Sequence, residues 1–198
     1  MNKPLHLIYV TGLGDSNPRG QRLAIKTWRW WGVESELFQM NWADGEAWPL
    51  KFDRLLKKVE ALKAAGKDVG LVGVSAGAGA AINVFAARKS QIIGCVLIAG
   101  KVNRPASIGD NYRRKNPAFV SSAQDVQVAL SHLDNGDRDR ILSRYAVADE
   151  LVSKADSRIP GTHNRLVPSV GHFFTIATQI TLGAPSFIHF LKRQPRLA

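Results

Sequence analysis

The stretch Val69-Gly70-Leu71-Val72-Gly73-Val74-Ser75-Ala76-Gly77 decides how this chain is read. An apolar strand of the kind buried on both faces runs straight into G-x-S-x-G. Small residues follow it, Ala76-Gly77-Ala78-Gly79-Ala80-Ala81. A sharp strand-to-helix turn of this kind strains the serine backbone and projects its hydroxyl from the sheet. Gly73 and Gly77 remove side chains that would collide across the turn. The small-residue helix packs tightly on the strand, and its N-terminus points partial positive charge at the hydroxyl. Ser75 is therefore the expected nucleophile.

Working outward, apolar runs suited to buried parallel strands recur at 5–10, 33–40, 69–74, 92–99, 141–146 and 165–168. Helix-length segments lie between them at 19–31, 47–65, 76–89, 117–133 and 171–192. In the second of these, Leu55, Leu56, Val59 and Leu62 fall at helical spacing, and Gly66 stands where a helix C-terminal glycine is favoured. Strand and helix alternate throughout. The pattern predicts an α/β fold, a mostly parallel sheet of about six strands with helices on both faces.

The 198 residues are 45% hydrophobic and 22% charged, without repeat, low-complexity tract or long polar linker, which predicts one domain over 1–198. The first ten residues lack the long apolar segment and cleavage site of a secretory leader, and no stretch approaches the roughly 20 apolar residues of a membrane span. A single cysteine, Cys95, rules out an internal disulfide framework and reads as a small strand hydrophobe. A cytoplasmic protein without stable membrane insertion is expected. The net charge of +11 raises attraction to nucleic acid or anionic surfaces. The basic residues are scattered, though, and no nucleic-acid motif accompanies them, so no nucleic-acid partner is expected.

A serine hydroxyl is a weak nucleophile and needs a base, which in turn needs an orienting acid. Of the five histidines, His6, His132 and His189 fall in a strand, near a helix end and inside the final helix, and His163 precedes a strand. His172 sits in a loop before a helix, at the far end of the last strand, and is the expected base. Asp149 and Glu150 compete for the acid in the loop after the preceding strand, with Asp149 preferred. Asp137 and Asp139 lie before that strand, at its wrong end. The order Ser75, Asp149, His172 is that of α/β-hydrolases and not of chymotrypsin or subtilisin.

An oxyanion needs backbone N–H donors. One is expected from Ala76, just after the serine. The other should come from the glycine-rich loop Thr11-Gly12-Leu13-Gly14-Asp15-Ser16, with Leu13 first and Gly14 second. That loop lacks the third glycine of a dinucleotide fingerprint and the Gly-Lys-Ser/Thr of a P-loop. Trp42, at the end of the second strand, and Phe173, beside the base, are candidates to line a substrate pocket. No His/Cys/carboxylate spacing marks a metal site, and the chemistry calls for no cofactor.

On these residues the chain resembles the α/β-hydrolase superfamily over essentially its whole length, through Gly73-Val74-Ser75-Ala76-Gly77, Asp149-Glu150-Leu151-Val152 and Gly171-His172-Phe173-Phe174. The loop Gly12-Leu13-Gly14-Asp15 is similar to the His-Gly-Leu-Gly-Asp loop of acyl-protein thioesterases, with Thr11 in place of the histidine. The resemblance implies a small member without the family's N-terminal antiparallel strands. Residues 101–116 are only a short polar loop where many members carry a lid, so little or no lid is expected. Hydrolysis of a small carboxylic ester through an acyl-enzyme is the expected activity. A thioesterase or other acyl hydrolase is one alternative, and a catalytically silent ligand-binding module is another.

Overall fold

The computed structural model describes residues 3–195. It opens with β1 (Leu5–Val10), α1 (Arg19–Lys26) and β2 (Glu34–Phe38), followed by α2 (Trp48–Ala64), β3 (Asp68–Val74), α3 (Ala76–Ala87) and β4 (Ile92–Ile98). The short α4 (Asp110–Lys115) precedes α5 (Pro117–Ser131) and the single turn α6 (Asn135–Arg138). Then come β5 (Ile141–Ala148), the single turn α7 (Lys154–Ser157), β6 (His163–Val170), α8 (His172–Ile180) and α9 (Ala184–Lys192). The six strands form one sheet in the order β2-β1-β3-β4-β5-β6, and every pairing is parallel.

Side chains alternate across the strands and feed two cores. Ile8, Val10, Leu71 and Leu97 pack with Leu55 and Val59 of α2, Phe85 of α3 and Val126 of α5. Leu7, Tyr9, Val72, Val96 and Ile98 pack on the other face with Trp28, Ile176 and Ile180 of α8, and Phe187 and Leu191 of α9. Cys95 is wholly buried, as its apolar run predicts, and burial pushes its thiol well above the usual range. Among the described residues no helix is long and apolar enough to cross a membrane.

Four segments differ from the sequence pattern. The helix expected over 19–31 is α1 followed by a tighter 3₁₀ turn, Thr27–Trp31, which ends at Gly32 with φ 64°. The helix expected over 171–192 breaks into α8 and α9 because Pro185 has no N–H to continue the ladder and its ring crowds the carbonyl four residues back. The polar loop at 101–116 folds into a 3₁₀ turn, Pro105–Ser107, and α4. The last strand is twice its expected length and starts at His163. It is the sheet's edge, mostly exposed, so the apolar pattern that marks buried strands is missing there.

β1 leads to β2 on one side while β3 lies on the other, so the strand order reverses between β1 and β3. Ligands of open α/β sheets bind beyond the carboxyl ends of strands at such a point. The loop after β1 and the turn after β3 meet there.

Candidate active site

Ser75 joins β3 to α3 with φ 51° and ψ −120°, a backbone conformation that costs a non-glycine residue about 1–3 kcal/mol. Three hydrogen bonds hold it. Its amide donates to the Ile98 carbonyl at 3.0 Å, and its carbonyl accepts from the amides of Ala78 at 3.2 Å and Lys101 at 3.1 Å. The turn tolerates nothing larger than glycine at two positions. A methyl on Gly73 would lie 2.6 Å from the Gly77 carbonyl oxygen and 2.7 Å from Ala78 Cα; one on Gly77 would lie 2.5 Å from the Thr11 carbonyl oxygen.

The Ser75 hydroxyl lies 2.9 Å from Nε2 of His172, the first residue of α8, which is 2% exposed. Nδ1 of the same ring lies 2.8 Å from Asp149 Oδ2, just beyond the end of β5. An ionised carboxylate only accepts, so Nδ1 carries the ring proton and Nε2 of the neutral ring is left to accept from the serine. Asp149 Oδ1 accepts the amides of Leu151 at 2.9 Å and Val152 at 2.8 Å. Burial alone would raise the Asp149 pKa. The hydrogen bonds from His172, Val152 and Leu151 outweigh it and hold the carboxyl below the usual range.

Glu150, the sequence rival of Asp149, has a different place. Its carboxylate accepts the backbone N–H of His172 at 3.2 and 3.1 Å, covering the positive end of α8. The sequence prefers Asp149 for the ring, and the ring is on Asp149; it carries no signal for the place of Glu150 at the amide.

The loop after β1 closes over the serine. A Cβ on Gly12 would stand 2.9 Å from Ser75 Cβ, and Leu13 and Gly14 face the same space as the hydroxyl. The loop is fixed from behind by two of its own buried residues, Thr11 and Asp15, to which the sequence pattern assigns no role. Thr11 Oγ1 donates to Asp15 Oδ2 at 2.7 Å and accepts the Met40 amide at 3.0 Å; Asp15 Oδ2 also accepts the Asn41 amide at 2.8 Å. The four-residue spacing of Thr11 and Asp15 was the available signal.

Trp42 is not where the pocket reading put it. It is 1% exposed, stacked on Trp48, and its indole N–H donates to the Thr11 carbonyl at 3.0 Å. It supports the loop from the core side: β2 ends at Phe38, and Trp42 lies in the turn beyond it, with its ring packed on Trp48 and Phe119. Phe173 does line the space beside Ser75.

Two cavities meet at Ser75, with Leu13 and Phe173 shared between them. The first, about 340 Å³, has apolar walls from Val74, Ala24, Ile176, Ala177 and Ile180. The second, about 420 Å³, is mixed, with Lys101, Ser107, Tyr112, Glu150 and Leu151. Tyr112 comes from α4 and Ser107 from the turn before it, so the segment expected to be a bare loop forms a wall. Lys101 is buried, its ammonium donating to Asp156 Oδ1 and Ser107 Oγ, each at 2.5 Å. Among the described residues no group of three or more His, Cys, Asp or Glu side chains could hold a metal ion.

No protein-family model matches the sequence, and no curated protein does. Solved structures do match in shape. The chain is similar to the esterase domain of a Rhodothermus marinus protein, with a TM-score of 0.70 at 12% identity over 98% of this chain and 89% of that one. It is similar to a structure reported for LipS and LipT, two metagenome-derived lipolytic enzymes, with a TM-score of 0.69 at 10% identity over 98% and 96%. Est1E from Butyrivibrio proteoclasticus matches with a TM-score of 0.66 at 15% identity over 98% and 90%. The fold is that of the α/β-hydrolases.

Proposed function

We propose that this α/β-hydrolase-fold chain is a serine hydrolase that cleaves small carboxylic esters by acyl transfer to water. One observation carries the reading: an unbroken line of hydrogen bonds from Asp149 through His172 to Ser75, 2.8 and 2.9 Å long, ends where two cavities meet. The names of the similar structures, an esterase domain and lipolytic enzymes, agree with it.

In this mechanism His172 Nε2 takes the Ser75 proton as the hydroxyl oxygen attacks the ester carbonyl carbon. Asp149 keeps the ring in the productive tautomer and stabilises the imidazolium. The carbonyl oxygen becomes an oxyanion held by the amides of Ala76 and Leu13, with Gly14 next in the same loop; one such donor is worth about 2.7–4 kcal/mol. The C–O bond to the alcohol breaks as His172 returns the proton to the leaving oxygen. Water, deprotonated by His172, then attacks the Ser75 ester and releases the acid. The two cavities take the two sides of the ester, a short apolar group in the smaller and a more polar group in the larger. A thioester fits the same steps.

Labelling with a fluorophosphonate probe tests the assignment without a known substrate. The wild-type chain is expected to label, and Ser75→Ala and His172→Ala are expected not to. A folded wild-type chain that stays unlabelled overturns the proposal and leaves the fold as a ligand-binding module.

A further inference from the structure

We propose that the groove between α9 and the β5–β6 edge of the sheet is a second site, for a soluble phosphate-bearing small molecule. It lies at the amino-terminal end of β5 and β6, the opposite end of the sheet from Ser75. It shares no lining residue with the two cavities there.

Two arginines stand side by side on this edge of the sheet. Arg144 and Arg165 are register partners on neighbouring parallel strands, so their side chains leave the same face of the sheet. Like charges placed directly across a strand pair destabilise it. Arg144 is also buried, and its partners are all neutral. Its Nη1 donates to Gln179 Oε1 at 2.8 Å and the Gly183 carbonyl at 2.9 Å, and its Nη2 donates to Ser186 Oγ at 2.8 Å. Its Nε is buried with no hydrogen-bond partner among the described residues. None of the ion pairs among the described residues includes Arg144 or Arg165. Burial, and then the charge of Arg165, pull the Arg144 guanidinium down to about 10. A buried cation beside another cation, without a paired carboxylate among the described residues, is an arrangement that a folded chain normally avoids.

The groove explains what could balance it. It encloses about 880 Å³, and Arg165, Arg193, His163, His189 and Ser186 line it. Among the described residues, Asp139 is the only carboxylate in that lining. Ser186 Oγ already accepts from Arg144, and no acceptor for its own proton is found among the described residues, so it can donate into the groove. The walls are rich in donors and poor in acceptors. A doubly charged phosphate oxygen cluster suits planar guanidinium forks and imidazole N–H groups. Arg165 and Arg193 reach it directly, and Ser186 links it to the buried charge of Arg144.

The test is scanning calorimetry of the full chain with millimolar pyrophosphate against sodium chloride of equal ionic strength. At a hundredfold excess over Kd the unfolding midpoint is expected to rise by about 5 °C or more. Arg165→Gln is expected to raise the anion-free midpoint, because it relieves the repulsion, and to abolish the pyrophosphate shift. Arg193→Gln should weaken the response at least tenfold in pyrophosphate concentration. Lys57→Gln, on the opposite face of the sheet, removes one charge elsewhere and should leave the shift intact. A wild-type midpoint that ignores pyrophosphate, or an Arg165→Gln shift equal to that of the wild type, overturns the proposal.

Discussion

The carboxylate of Glu150 receives the backbone N–H of His172 at 3.1 Å and leaves the imidazole to its neighbour in sequence. One acid anchors the helix that carries the ring, and the other orients the ring itself. The two should separate on mutation. Asp149→Asn offers Nδ1 the wrong partner and is expected to lower kcat by about 10³–10⁴. Glu150→Ala removes a helix cap, which costs about 1 kcal/mol of stability and less than tenfold in kcat. Steady-state kinetics with a p-nitrophenyl ester and denaturant unfolding check both; equal losses in kcat would contradict the division of labour.

Thr11→Val keeps the shape of a buried side chain while removing the group that donates to Asp15 and accepts from Met40. The stranded polar groups are expected to cost about 1–3 kcal/mol. Because the same loop carries Leu13 against Ser75, kcat should fall while KM changes little. Urea unfolding with parallel kinetics reads both effects.

Phe173 borders both cavities yet is 71% exposed, so it contributes surface to a substrate and little to the core. Phe173→Ala should raise KM severalfold with kcat nearly unchanged, and shift stability by no more than about 0.5 kcal/mol. A loss confined to kcat would place the ring in the chemistry instead.

Gly73→Ala is the severest single change expected of the scaffold. The added carbon would sit against backbone atoms of Gly77 and Ala78, which cannot swing aside as a side chain end can. A destabilisation of about 3 kcal/mol or more is expected, at the upper end for overpacking, and visible as a lowered denaturant midpoint.

Acid should weaken the fold chiefly through three buried carboxylates held below their usual range, Glu34 and Asp44 being lowered too but exposed. Burial opposes ionisation at Asp137, Asp149 and Asp156. It is outweighed at Asp137 by Lys89 and Arg140, at Asp149 by His172 and the Val152 and Leu151 amides, and at Asp156 by Arg104, Lys101 and Ser153. A carboxyl with a folded pKa below its unfolded value of about 3.9 adds stability that is full above that value. The contribution is lost as pH falls through the folded pKa. The thermal midpoint should therefore drop steeply below about pH 4. Asp156→Asn, which strands the buried Lys101 ammonium, should lower the midpoint at pH 7 by the equivalent of about 3 kcal/mol and flatten the acid slope. An unchanged slope would mean that Asp156 is not held below its unfolded value.

The parallel sheet and its helices were legible because β1, β3 and β4 are buried on both faces and their sequences are close to continuously apolar. That Ser75, Asp149 and His172 come together was legible from their places after β3, β5 and the short apolar part of β6, at the carboxyl ends where such a sheet exposes its loops. The rest depended on direction and not position. Nothing in the string of letters turns Trp42 inward or sets Glu150 on the His172 amide. β6 was cut short because an edge strand with charged residues facing water has no apolar run to read. The break before α9 was marked by Pro185, whose missing N–H counts for more than the apolar spacing around it.

The strained backbone of Ser75 is held by the Ile98 carbonyl and by amides on α3 and beyond β4, and its hydrogen-bonded histidine lies 97 residues further along the chain. On the proposed function, the serine therefore becomes a nucleophile only when distant parts of the polypeptide have already found one another. A chain still emerging from the ribosome, with residues beyond 171 unmade, would be chemically inert however well its first half had folded. On that reading, probe labelling of Ser75 would report that β3, β4 and α8 have come together.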